Sequence, residues 1–307
     1  MLGYLTKRLA SAVPVIIGVT LLVFLMLHMV PGDPAEQMLG EMAVDKTAVA
    51  NLRQQMGLND PLAVQYGHFL GNILHGNLGT SMLAHRSVMD MIGKVLPSTF
   101  YLTLAGLGVA IVLGTLLGIA AAVRQNTWLD TSSMVLALLG VSMPSFWLGL
   151  LLVFTFSLRL GWFPATGSGG WERMVMPAFT LGFGAAAVIA RLVRASMLEI
   201  LRLDFIRVAR AKGLSEHRVI YRHALKNALI PVLTMVGLEF GRLLGGTVVI
   251  ETVFARPGIG RLIVDSILKK DFQVVQGAVL LSAVFYVAIN LLVDMSYALI
   301  DPRIRYQ

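Results

Sequence analysis

Four stretches of the chain carry no Asp, Glu, Lys or Arg: Leu9–Gly32, Val95–Val123, Thr131–Leu158 and Phe272–Val293. Each exceeds the roughly 18 to 20 apolar residues that a helix needs to cross a hydrocarbon layer of ~30 Å. Two weaker stretches join them. Met174–Ala190 is shorter, but Arg173, Arg191 and Arg194 at its ends can snorkel to the interface. Leu229–Ile250 is apolar except for Glu239 and Arg242. The pattern predicts an all-α polytopic membrane protein with six transmembrane helices, at 9–30, 98–123, 133–157, 175–193, 229–250 and 274–300. Pro14 falls in the first turns of the first span, where a missing amide hydrogen costs least, and Pro31-Gly-Asp-Pro34 stops it. The polar region that follows predicts a short helix near Lys46–Met56, ended by Gly57, and a turn at Asp60-Pro61. Gly161, Pro164, Gly167, Gly169 and Gly170 make the connection after the third span a loop. Gly106, Gly114, Gly118, Gly140 and Gly149 lie inside spans and read either as close helix packing by small residues or as part of a conduction path.

Composition narrows the class. Only 14% of the 307 residues are charged, against about 25% in soluble domains, which excludes an ordinary soluble enzyme. The net charge of +8 could suggest nucleic acid, but most of this chain is fit only for lipid. With no cysteine, disulfides, thiolate nucleophiles and thiolate metal sites are excluded together. The first apolar run is too long for a signal peptide and lacks a small-residue cleavage site, so it reads as a retained span.

Charge also orients the spans. The two termini and the loops after spans two and four hold 14 basic and five acidic residues, whereas the opposite loops hold ten of each. By the positive-inside rule both termini are cytoplasmic. Residues 1–8, the loop 194–228 and the tail 301–307 then lie inside, while 31–97 and 251–273 lie outside. In a bacterium that places the chain in the inner (plasma) membrane as a multi-pass protein, with its outer segments in the periplasm.

The largest inner loop has its own pattern. Asp204 suits a helix N-cap, and Phe205, Val208, Ala209 and Lys212 fall at helical spacing. Gly213 stops that helix as an αL residue would. Leu214-Ser215 then reads as staple residue and N-cap, with Glu216 at the positive end of a second helix. Pro231 opens the fifth span. Two readings stand: a positively charged loop that happens to be helical, or a docking element for a cytosolic partner.

Asp204-Phe-Ile-Arg-Val-Ala-Arg-Ala-Lys-Gly213-Leu-Ser, followed by His223-Ala-Leu-Lys-Asn-Ala-Leu-Ile-Pro231, resembles the ATPase-docking loop of ABC importer permeases. More narrowly, the chain resembles the bacterial dipeptide, oligopeptide, glutathione and nickel permease family, closest in layout to dipeptide and glutathione permeases. The general importer loop runs Glu-Ala-Ala, three residues, Gly, nine residues, Ile-x-Leu-Pro. Ala209, Gly213 and Leu225 are kept, while Arg207 stands for the Glu, His223 for the Ile and Lys226 for the Pro. Those departures look like the peptide-permease branch itself. Pro31-Gly-Asp-Pro34, Gly57-Leu-x-x-Pro61, Gly76-Asn-Leu-Gly79, Met143-Pro-Ser-Phe146, Gly161-Trp-Phe-Pro164, Pro257-Gly-Ile-Gly260 and Asp301-Pro-Arg-Ile-Arg305 also match, in order and over essentially the whole chain.

The resemblance implies a type I ABC importer permease fold. It implies a heterodimer with a second, homologous permease subunit, two cytosolic ABC ATPase subunits beneath, and an extracytoplasmic substrate-binding protein. Asp204, Arg207, Ala209, Arg210, Lys212, Gly213, Leu214, Ser215 and Glu216 would couple to the ATPases. ATP and Mg would sit on those partners, because this chain has no nucleotide loop of its own. It would bind no cofactor and would not be an enzyme. Dipeptides, oligopeptides or glutathione fit as cargo, with a nickel or metal-chelate complex as the alternative. An ion-coupled secondary transporter using Glu239 and Asp294 is a more distant one.

Glu239 and Arg242 share a helical face within the fifth span. The permeases that the chain resembles tend to have glutamine and an uncharged residue there. The pair reads either as structural, or as lining the translocation path and offering a charge of each sign to a zwitterionic peptide. His28 reads as a packed or interfacial histidine, and His68 and His75 as a chance surface pair rather than metal ligands.

Overall fold

The computed structural model describes residues 2–29, 35–36, 46–55 and 57–300, and every assigned element of them is helical apart from one isolated bridge, Thr80 to Ser87. The Pro31–Pro34 motif and the 301–307 tail lie outside the described residues, as do the side chains of Lys7, Arg8 and Asp294. The chain divides into two compact units, one of residues 1–95 and 262–291 and the other of 96–261 with 292–307.

In the first unit, α1 (Leu2–Met29) packs against α3 (Leu62–Leu74). Phe24 stacks edge-on to Tyr66, and the Thr20 and Tyr66 hydroxyls are 2.9 Å apart. His28 is exposed and is held by hydrogen bonds with the Phe24 carbonyl oxygen and Gln65. Between them in sequence, α2 (Lys46–Gln55) is followed by Gly57, whose φ of +66° lies in the left-handed region that favours glycine. Pro61 follows at the N-cap of α3. Asp271 is buried and accepts hydrogen bonds from the Ser81 hydroxyl and the Met82 amide, which ties the 80–87 turn to the start of α11 (Phe272–Ile300).

The second unit is built around α7 (Glu172–Ile200), which packs on α5 (Trp128–Ser142), α6 (Ser145–Leu152) and α9 (Glu216–Val253). Small residues explain its central place. Gly182, Ala185, Ala186, Ala187 and Ala190 are all buried and let neighbouring backbones come close. On α4 (Val88–Val123), a Cβ on Gly114 would stand 2.7 Å from the Ala186 carbonyl oxygen, and one on Gly118 2.7 Å from that of Ala190. Gly106, Gly140 and Gly149 likewise abut Leu181, Ala187 and Phe254. The intraspan glycines therefore serve helix packing.

Two helices depart from the regular pattern. Across the expected third span, α5 and the segment Ser145–Arg159 are bent by 108°, making a broken span or a re-entrant loop. The cause is local: Met143 precedes a proline and is extended (ψ 125°), and Pro144 starts the next helix. That second segment ends in a π-helical stretch, Val153–Arg159. Pro231, in contrast, does not open a helix. It sits inside α9, which runs on from Glu216 through a π-helical stretch, Val219–Ala224. At the end of that stretch the His223 carbonyl oxygen accepts from the Asn227 side chain at 2.8 Å.

Among the described residues, four helices are long and apolar enough to cross a membrane: Val88–Val123, Glu172–Ile200, Glu216–Val253 and Phe272–Val293. The bent α5–α6 pair makes a fifth if it is one span, and the apolar stretch Ala10–Met26 of α1 falls below 18 residues.

Candidate functional site

The residues singled out between Asp204 and Glu216 form a helical hairpin. α8 (Asp204–Ala211) buries Ile206 and Ala209 and exposes Phe205, Arg207 and Val208. It ends in a Schellman motif: the Gly213 amide donates to the Arg210 carbonyl (2.9 Å) and the Leu214 amide to that of Ala209 (3.4 Å). Gly213 has φ +78°, and a Cβ there would meet nothing within 4 Å. Its requirement is therefore conformational, set by the left-handed backbone, and its outer face is open. Leu214 packs back on the same cluster as Ala209, closing the turn.

Ser215 then takes the N-cap position of α9 without a side-chain cap bond, and Glu216 begins the helix. Arg210 reaches across the turn to Glu216 through two bonds of 2.8 and 3.3 Å. Asp204 is the first helical residue of α8 rather than its N-cap, a position taken by Leu203. Its exposed carboxylate pairs with Arg207 at 3.2 Å, one turn along. Lys212 is the C-cap and is exposed. The hairpin thus places Arg207, Arg210, Lys212 and the Gly213 backbone on solvent-facing positions, while its inner face is fixed by apolar contacts.

Glu239 and Arg242 do pair, but unequally. Arg242 Nε donates to Glu239 Oε2 at 2.9 Å, and Nη2 lies 2.8 Å from the same oxygen as an ion-pair contact. The Glu239 side chain is 6% exposed and that of Arg242 60%. The expected presentation of both signs of charge is therefore not what the helix offers. Glu239 is turned into the protein, where it partners Arg242, and only the cation reaches an open space. That space is a cavity of about 280 Å³, lined by Met143 and Ser145 at the α5–α6 bend, Phe183 and Gly184 of α7, and Arg242 and Gly246 of α9.

Two polar clusters went unread in the sequence. Asp130, in the first turn of α5, receives Arg194 Nε and Nη2 on its two oxygens at 2.6 and 2.7 Å, and the Asn126 amide at 3.0 Å. The signal was present, since Asp130 is the only acid between Arg124 and Arg159, but nothing local says which arginine it meets. Glu251 is fully buried and accepts from Thr99 Oγ1 (2.6 Å), the Gly260 amide (2.8 Å) and the Arg261 amide (3.2 Å). It thereby caps α10 (Ile259–Leu268) from a distance. A Cβ on Gly258 would overlap its carboxyl group, which explains the Pro257-Gly-Ile-Gly260 motif in steric terms. Arg256 lies in the same turn and is buried. Burial pushes its guanidinium below the ordinary arginine range, and the Glu251 carboxylate pulls it back. Among the described residues no three His, Cys, Asp or Glu side chains gather where they could hold a metal ion.

Comparison with known proteins covers nearly the entire chain. Residues 114–306 match the family described as "Binding-protein-dependent transport system inner membrane component", and residues 1–103 match the N-terminal region described for the same systems. The chain is 48% identical over 307 residues, all of both chains, to the glutathione transport system permease protein GsiC of Pectobacterium atrosepticum. It is 46% identical over the same span to that of Salmonella typhi. Among solved structures, an inward-facing form of the MetNI methionine ABC transporter superposes with a TM-score of 0.60 at 20% identity, covering 69% of this chain and 97% of that one. An amino acid ABC transporter solved with histidines gives 0.51 at 16% identity, covering 70% and 94%. At these identities the structural likeness speaks for the fold alone.

Proposed function

The chain belongs to the family of binding-protein-dependent transport system inner-membrane components, and from that premise we propose that it translocates glutathione, dipeptides or oligopeptides inward by alternating access driven by partner ATPases. It is a multi-pass permease of the bacterial inner membrane and a transport subunit rather than an enzyme. The identity with glutathione permeases over the full length of both chains supports the peptide class.

The topology proposed is six spans with both termini inside. α1, α4, the bent α5–α6 pair, α7, α9 and α11 supply them, at 9–30, 98–123, 133–157, 175–193, 229–250 and 274–300. The excess of basic residues on one set of loops supports the orientation. The assembly proposed is a heterodimer with a second permease, carried on two ATPases that hold ATP and Mg and fed by an extracytoplasmic binding protein. Within it the hairpin Asp204–Glu216 is the coupling element and Glu239–Arg242 lies on the path.

The observation that carries this reading is the hairpin itself: a rigid inner face of Ile206, Ala209 and Leu214 under an exposed basic outer face, hinged at a left-handed Gly213. A load applied to the outer face reaches the membrane helices through packed contacts rather than through a flexible loop. Gly213→Val, in the complete importer, forces a β-branched residue into that conformation at a cost of about 1–2 kcal/mol. ATP-driven peptide uptake should fall roughly tenfold or more while the four-subunit membrane complex still purifies. Gly213→Asn, which tolerates the left-handed region, should keep most of it. Normal uptake by the valine variant would refute the coupling role.

A further inference from the structure

Glu239 and Arg242 are a half-open ion pair, and its open half faces a cavity. The hydrogen bond from Nε and the ion-pair contact of Nη2 use one edge of the guanidinium and converge on a single carboxylate oxygen of Glu239. The second edge, built from Nη1 and Nη2, is not the one that faces Glu239, and Arg242 lines the same space as Ser145, Phe183 and Gly246. Arg242 is the only charged residue in that lining. A charge within the hydrocarbon region is costly unless it is paired or faces water. Here Glu239 supplies the pairing and the cavity supplies the opening. A guanidinium edge presents two parallel N–H donors that match the two oxygens of a carboxylate.

We propose that Arg242 is an anion subsite on the translocation path, and that it receives the free carboxylate of the transported peptide. The proposal rests on the reading of this chain as a peptide permease and adds the chemical group recognised. Glu239 has a positioning role: it fixes the guanidinium plane with one edge outward and keeps the pair neutral overall. Neutrality weakens the hold on an incoming anion, as a path requires, because a site that binds too tightly does not release. The Ser145 hydroxyl, at the bend of α5 and α6, is placed in the same lining to donate a further bond, and the Phe183 ring offers an apolar wall for the side chain beside the carboxylate.

The experiment uses the complete importer in proteoliposomes with its own binding protein, and a tripeptide with a free C-terminal carboxylate against the same tripeptide as its C-terminal amide. The readout is the ratio of acid to amide uptake, so a selectivity already set by the binding protein cancels between variants. In Glu239→Gln/Arg242→Gln, which removes the pair without burying a lone charge, that ratio should fall by roughly tenfold, as for the loss of one charge-assisted hydrogen-bonded contact. Arg242→Lys should fall between the double variant and the original. A double variant with the original ratio overturns the proposal. So does a double variant that no longer assembles, since the pair is then structural. Absence of uptake of either peptide by the unsubstituted importer overturns the underlying peptide reading, and the subsite with it.

Discussion

Two ion pairs in the same unit are built from the same chemistry and end in opposite conditions. Asp130–Arg194 joins α5 to α7 across 64 positions of sequence, uses both carboxylate oxygens, and adds the Asn126 amide. Its side chains are 7% and 27% exposed. Glu239–Arg242 joins two residues on one helix, uses one oxygen, and leaves its arginine largely open. The first is a closed clamp in which the cation is consumed by its partner. The second is a mount, in which the acid is consumed and the cation is displayed. Separation in sequence produces this difference. Residues three apart on a helix meet side by side whatever else surrounds them, so one of them can remain free to face outward. A pair between two helices exists only because their packing brings it together.

The comparison predicts an order of stability losses. Asp130→Ala should have the largest effect, about 2 kcal/mol, because it takes a two-point charged partner from the half-buried Arg194 and also removes the bond to the Asn126 amide. Thermal unfolding of the purified membrane complex measures it, and an apolar replacement of both partners should recover most of the loss. Glu239→Gln should cost less, about 1 kcal/mol, since the Arg242 guanidinium already reaches the cavity and can be hydrated there. A loss equal to that of Asp130→Ala would erase the distinction between clamp and mount. Smallest is Glu216→Gln, which removes the exposed pair with Arg210 at the α8–α9 hairpin. Its stability cost should stay below about 0.5 kcal/mol and vanish at high salt. The same variant isolates charge from backbone geometry at the hairpin. If it uncouples ATP hydrolysis from uptake as strongly as Gly213→Val, the left-handed turn is not the coupling feature.

Much of the molecule was legible because the physics was local. Long apolar runs gave the helices, since composition alone decides which segments can cross lipid. Gly57 and Gly213 marked turns because a left-handed residue without Cβ is a property of one position. The spacing of Glu239 and Arg242 predicted their contact for the same reason. The bend at Met143–Pro144 was not read from the sequence, where 133–157 stood as one span: Pro144 was the available signal of a break, but its angle of 108° depends on how α5 and α6 pack against α7.

Tertiary structure alone decided the rest. No local rule pairs Asp130 with Arg194, or sends the buried Glu251 to Thr99 and the amides of α10. The glycines of α4 could be read either as a seam or as a path until the carbonyls of Ala186 and Ala190 were found against them. Above all, the sequence placed a charge of each sign in the helix α9, but burial chose which one is displayed. Glu239 is covered by the packing of its own unit and Arg242 is not. Periodicity determines which residues share a face of a helix, and only the neighbouring helices determine where that face is closed.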